Sequence, residues 1–202
     1  PEELMGLASI TREWKGGEAM LIDAVAESLS LEQVRLRTGA FGPDAIVMAV
    51  GYSTFPDDVE TANTLAADHP RVPVCVTGYL PSGAPDEVLR NTRIRVVLLD
   101  EPELAFSDLY DCLAAEGALD RVDGIAFRDG ERIVVSSRRP RIDDLDRLPF
   151  PDHSLVELSR YGEPMRPSPM GVTVSSRGCP CSCTFCTRTY GKLVRYRSPD
   201  NV

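Results

Sequence analysis

Ala45-Ile46-Val47-Met48-Ala49-Val50-Gly51-Tyr52-Ser53-Thr54-Phe55-Pro56 is an apolar run that ends in a small-residue turn, with Asp57-Asp58 opening a helical pattern behind it. A run apolar on both faces and bounded by turn signals predicts a strand buried on both sides, here over 45–50. The same unit recurs outward in both directions. Downstream, a helix over about 57–68 turns Val59, Ala62 and Leu65 inward and leads to a strand over 72–76. A short helix near 85–90 leads to a strand over 94–99, and a helix over about 103–115 follows with Phe106, Leu109 and Leu113 on one face. Upstream, residues 2–15 place Leu4, Leu7, Ile10 and Trp14 at helical spacing before Gly16-Gly17. The run Ala19-Met20-Leu21-Ile22 predicts another buried strand, and a helix over about 30–39 precedes the opening stretch. Alternation of this kind means a parallel sheet with helices on both faces.

Open sheets of this class bind ligands at the carboxyl ends of their strands. The loops there are Gly51 to Pro56, Thr77-Gly78-Tyr79-Leu80-Pro81-Ser82-Gly83 and Asp100-Glu101-Pro102-Glu103. Ala49, Gly51 and Gly78 would let a bulky ligand approach the backbone, although the same residues also suit plain turns. Neither a phosphate-cradling GxxxxGK[ST] nor a dinucleotide GxGxxG is present. After about residue 121 the period changes: Gly124-Ile125-Ala126-Phe127 and Ile133-Val134-Val135 flank Asp129-Gly130, a strong hairpin signal. The stretch 136–169, rich in Pro, Arg and Asp, reads as an ordered linker, and Gly171-Val172-Thr173-Val174 predicts the first strand of a second domain.

That strand runs into Ser176-Arg177-Gly178-Cys179-Pro180-Cys181-Ser182-Cys183-Thr184-Phe185-Cys186, which holds four of the six cysteines. Four thiols so close together point to a metal, on a loop broken by Gly178 and Pro180. Three of them, spaced Cys179-x3-Cys183-x2-Cys186, would leave one iron of a four-iron cluster open to a substrate or cofactor. A structural zinc tetrahedron from all four is the alternative, strained by the Cys-x-Cys-x-Cys spacing. Cys75 and Cys112 lie inside apolar segments and read as core residues, so a disulfide framework is not expected. His69 and His153 form no site by spacing, and no Ser/His/Asp set or HExxH occurs.

The 202 residues allow one complete domain and a remainder. With 31 acidic and 22 basic residues the net charge is −9, which favours a soluble protein and argues against a general nucleic-acid or anionic-membrane binder. Most of the acid excess precedes residue 125, while Arg177, Arg188, Lys192, Arg195 and Arg197 make the end basic, suited to an anionic ligand or simply to a solvated face. No run approaches the roughly 20 apolar residues of a membrane span and no leader is visible, so the reading is cytoplasmic.

Cys179-x3-Cys183-x-Phe185-Cys186, after Ser176-Arg177-Gly178, resembles the cluster motif of radical SAM enzymes, in the version where a cobalamin-binding domain comes first. The front of the chain is similar to those cobalamin-binding domains at Ile22-Asp23-Ala24, Pro43-Asp44, the segment Ser53 to Ala62, the hairpin, and the linker Asp144-Leu145-Asp146-Arg147-Leu148-Pro149-Phe150-Pro151. It looks closest to the anaerobic Mg-protoporphyrin ester cyclase and hopanoid-biosynthesis branch. The resemblance implies an α/β, flavodoxin-like (Rossmann-type) parallel sheet with helices on both faces, then a β-hairpin and linker, then the first strand and cluster loop of an incomplete radical SAM (β/α) barrel. Residues 1–121 would be the cobalamin-type domain, 122–169 the hairpin and linker, and 170–202 the start of the radical SAM domain. The family's first strand would fall before Pro1 and most of its barrel after Val202, so a fragment open at both ends is expected.

The resemblance also implies roles. Cys179, Cys183 and Cys186 would hold a 4Fe-4S cluster whose open iron binds S-adenosylmethionine and cleaves it to a 5′-deoxyadenosyl radical, with Phe185 beside the adenine. Ser53, Thr54, Thr77, Gly78 and Glu101 would contact cobalamin; no residue is singled out as catalytic, and Cys181 is an extra thiol. Three departures stand out: Thr77-Gly78 replaces Gly-Gly, Asp100-Glu101-Pro102-Glu103 replaces Gly-Glu-Gly-Glu, and no Asp-x-His-x-x-Gly supplies an axial histidine. The expected activity is methyl transfer or another radical transformation at an unactivated carbon of a small molecule, such as a lipid, a porphyrin or another secondary metabolite. A reductase or flavodoxin would donate electrons, and this stretch alone should be inactive. The alternatives are a radical SAM protein whose front domain has become a scaffold or substrate-binding module, and a non-catalytic zinc module.

Overall fold

Strands β1 (Ile46–Ala49), β2 (Val74–Thr77) and β3 (Val96–Leu98) run parallel and side by side in the computed structural model, which describes residues 2–162, 169–187 and 189–202. Register pairs Val47 with Cys75 and Cys75 with Val96. The hairpin β4 (Ile125–Asp129) and β5 (Arg132–Val135) does not stand apart: β4 adds antiparallel to β3, so one five-stranded sheet has the order β1-β2-β3-β4-β5. Its turn uses Gly130 at φ 59, the left-handed conformation that the Asp-Gly pair signals.

Side chains alternate between the two faces of this sheet, and each face has its own helices. Cys75, Val96, Leu98, Ile125 and Phe127 meet Leu7 of α1 (Glu2–Ser9) and Phe106 and Leu109 of α6 (Pro102–Ala114). Val74, Val76, Val97, Leu99 and Ala126 meet Ala62 of α3 (Phe55–Asp68) and Val88 and Leu89 of α5 (Pro85–Arg90). α2 (Leu31–Phe41) lies beside α3 and begins at a capping box between Ser30 and Gln33.

Three local expectations are corrected. Residues 19–22 form no strand; Leu21 and Ile22, half-buried, and exposed Met20 instead line a cavity with Leu155, Val156 and Tyr161, without a ladder. Residues 171–174 are likewise unpaired, and only the two-residue β6 (Ser176–Arg177) meets β7 (Arg195–Tyr196). The loop after β2 contains a short helix, α4 (Tyr79–Gly83). No closed barrel forms among the described residues, and no helix among them is long and apolar enough to cross a membrane. Arg188 and linker residues 163–168 lie outside the described residues.

The linker is fastened to the sheet domain by a small apolar group of its own: Ile142, Leu145 and Leu148 pack on Leu104 of α6. Asp146 then accepts the Ser198 N–H at 3.0 Å, tying the cysteine-bearing segment to the linker.

Candidate functional site

Parallel strands deliver their carboxyl ends to one edge, and that edge collects the expected cofactor residues of the front domain. Ser53 and Thr54 are exposed in the loop after β1, where the Thr54 hydroxyl and the Gly51 N–H both bond Asp58 Oδ2, at 2.7 and 2.9 Å. Gly78 follows β2 at φ 128, and a Cβ there would lie 2.5 Å from the Val50 carbonyl oxygen, so only glycine fits between the strand ends. Thr77 and Glu101 stand at the same edge but are buried and engaged. The Thr77 hydroxyl donates to Glu3 at the start of α1, and both Glu101 oxygens are taken by Arg195. Neither side chain is a free group at the sheet edge.

The departures from the family pattern acquire physical reasons here. Asp100 adopts φ 57, a left-handed conformation natural to glycine and tolerated by aspartate. Arg138 holds its carboxylate at 2.7 Å and Arg141 at 3.1 Å, while its N–H reaches Ser82 Oγ at 2.8 Å. Pro102 occupies the first turn of α6, where its fixed φ suits the helix and no N–H is needed.

The cysteine loop stands over this edge. Tyr190, late in the loop, meets Tyr79 edge-on with ring centres 6.1 Å apart, and the Arg177 guanidinium lies 5.4 Å from the Tyr190 ring centre. Gly178 at φ 97 opens the loop, and a Cβ there would overlap the Leu193 carbonyl, so the strand β6 can turn only at glycine. Cys179 N–H bonds the Gly191 carbonyl at 3.0 Å and Cys186 N–H the Cys183 carbonyl at 3.3 Å. Cys179, Cys181, Cys183 and Cys186 are all exposed free thiols, and a hydrogen bond with Cys179 pushes the Cys181 thiol up. Phe185 is 89% exposed. Among the described residues no three His, Cys, Asp or Glu side chains stand together as a metal site. The donor set itself, thiols alone on an accessible loop, fits a thiophilic iron centre and not a hard cation.

Below the loop lies a buried charge cluster that motif reading did not find. Arg195 pairs bidentately with Glu101, at 2.8 and 2.9 Å, and donates to the carbonyls of Ile142 at 2.6 Å and Tyr190 at 2.9 Å. Glu101 also accepts the Ile142 N–H at 2.8 Å. Arg177 pairs with Glu103 and lies 3.8 Å from Glu101. Burial works against the Arg177 charge, but the bond to Glu103 and its negative charge hold the guanidinium above its ordinary value. The basic end is thus neither an open anion site nor a solvated face at these two positions. The one legible signal was the separation of acidic front from basic end.

No protein-family model matches the chain. An uncharacterised methyltransferase of Pyrococcus horikoshii is 28% identical over 205 residues, covering 100% of this chain and 44% of its own length. The anaerobic magnesium-protoporphyrin IX monomethyl ester cyclase of a Synechocystis species is 28% identical over 191 residues, covering 91% of this chain and 37% of the cyclase. The solved structure of OxsB, a cobalamin-dependent S-adenosylmethionine radical enzyme with aqua-cobalamin and S-adenosylmethionine bound, matches 100% of this chain and 28% of its own, with a TM-score of 0.82 and 22% identity. This chain is similar in sequence to those methyltransferase and cyclase relatives and in fold to a cobalamin-dependent S-adenosylmethionine radical enzyme. It spans less than half the length of these curated relatives. At this identity the likeness to OxsB carries the fold, the mostly parallel sheet covered by helices.

Proposed function

We propose that this chain is the front part of a cobalamin-dependent radical SAM enzyme that performs methyl transfer, or another radical transformation, at an unactivated carbon of a small molecule. The observation that carries the reading is the exposed Cys179-x3-Cys183-x2-Cys186 loop, whose Tyr190 packs against Tyr79 at the carboxyl edge of a parallel sheet. Cys179, Cys183 and Cys186 would hold the 4Fe-4S cluster, which when bound would supply the electron that cleaves S-adenosylmethionine, and Phe185 would lie beside the adenine. Ser53, Thr54 and Gly78 would line the cobalamin side of the edge, while Thr77 and Glu101 would shape it from within. A lipid, a porphyrin or another secondary metabolite is the substrate class, and a reductase or flavodoxin is the electron donor. Six free cysteines suit the reducing cytoplasm.

A second reading has one observation in its favour. Because Thr77 and Glu101 are buried and engaged, neither offers a free polar group at the edge, and in this reading the front domain serves as a scaffold or substrate-binding module. Anaerobic reconstitution of the full-length protein is expected to give a 4Fe-4S electron paramagnetic resonance signal that shifts on adding S-adenosylmethionine, and Cys179→Ala is expected to lose it. An unshifted signal defeats the open-iron assignment. A cob(II)alamin spectrum after purification with added cobalamin decides for the first reading, and its absence for the second.

A further inference from the structure

Two glutamates at the start of α6 reach two arginines that bracket the cysteine loop. Arg177 closes β6 immediately before Gly178-Cys179, Arg195 opens β7, and the two are partners in the strand register. The Glu101–Arg195 and Glu103–Arg177 pairs therefore fasten both ends of the loop at its base, with Glu101, Glu103 and Arg195 buried and Arg177 mostly so. A bidentate guanidinium–carboxylate pair fixes orientation as well as distance, and the Tyr190 and Ile142 carbonyls on Arg195 leave its fork little freedom. The segment 169–202 cannot hold this position by apolar packing, because Thr189 and Arg195 are its only buried side chains among the described residues.

We propose that Glu101 and Glu103 are positioning residues for the cysteine loop: through Arg195 and Arg177 they set where the thiols stand over the carboxyl edge of β1–β3. The effect on the cluster rests on the assignment of Cys179, Cys183 and Cys186 made above; the effect on the loop does not. A front-domain residue thereby controls the geometry of a centre built on a different segment.

Full-length wild type and Glu101→Gln are compared. Glutamine keeps an acceptor for the Ile142 N–H and removes the charge that faces Arg195. In the metal-free proteins, amide hydrogen exchange at 176–179 and 191–197 is expected to speed up by about tenfold or more in the variant, with 46–49, 74–77 and 96–98 unchanged. Exchange equal to wild type at the loop base overturns the proposal. If Glu101→Gln unfolds the sheet, the double variant Glu101→Gln/Arg195→Met, which leaves no unpaired charge, carries the test under the same criterion. After reconstitution, the variant is expected to keep its iron but lose or weaken the signal shift produced by S-adenosylmethionine. A shift identical to wild type overturns the positioning role. A wild type that takes up no cluster defeats the cluster assignment, and the exchange result still decides the clamp.

Discussion

Burial pushes the Glu3 carboxyl above its ordinary value of 4.5, against the bond from Thr77, and the nearby Glu103 carboxylate pushes it the same way. The cluster explains why: Arg177 and Arg195 already neutralise Glu103 and Glu101, so an ionised Glu3 is a surplus negative charge in a half-buried site. Over a range of pH the folded chain keeps a proton on Glu3 that the unfolded chain has released. Its contribution to stability is complete below pH 4.5 and is lost as pH rises through the raised folded value. Glu3→Gln keeps an acceptor for the Thr77 hydroxyl and cannot ionise. Calorimetry is expected to show a higher Tm for the variant at pH 7, by on the order of a few degrees, with the difference vanishing in acid. Equal Tm values at pH 7 would mean that water solvates the carboxylate and that the cluster carries no surplus charge.

At the scale of elements, α2 is the helix most dependent on its own ends. Only Val34 and Thr38 are buried along it, whereas Leu36 is 64% exposed, so packing contributes little and the capping box contributes more than usual. The Ser30 hydroxyl accepts from Gln33 N–H at 3.3 Å and Gln33 Oε1 accepts from Ser30 N–H at 2.8 Å. Ser30→Ala is expected to cost about 1 kcal/mol in urea unfolding and to speed amide exchange in the first turn of α2. A helix unmoved by the change would have to draw its stability from α3 instead. The elements most legible in the sequence are those whose pattern is local: Phe106 and Leu109 on α6, the wholly buried β2 and β3, and the Asp129-Gly130 turn each announce themselves within a few residues. Strands expected over 19–22 and 171–174 failed for the opposite reason. An apolar run becomes a strand only when a neighbour supplies a ladder, and Met20 to Ile22 line a cavity with Leu155 and Tyr161 without one.

Across the whole molecule, the cysteine motif was legible because its three thiols fall within eight residues, but the device that seats it was not, since Arg195 and Glu101 are 94 residues apart. Only tertiary folding brings an acidic front against a basic end. That folding centres on the sheet, and Cys75 sits in the middle of it, between Val47 and Val96, fully buried and with its thiol pushed up to about 12 by that burial. Alkylation of Cys75 needs both water and a thiolate, and both arrive only when the sheet opens. In the metal-free protein at pH 8, Cys179, Cys181, Cys183 and Cys186 are expected to react first and half-buried Cys112 later. Cys75 is expected to react at least about a thousandfold more slowly than the exposed four, at a rate that rises with urea along the global unfolding curve. The cysteine segment has almost no core of its own, so its amides should exchange at lower free energy than those of β2 and β3 while Cys75 stays closed. Mass spectrometry of the alkylated peptides reads both. If Cys75 labels as fast as Cys112 in native buffer, the sheet opens locally at its centre, and the front domain cannot be the rigid base on which the cysteine loop depends.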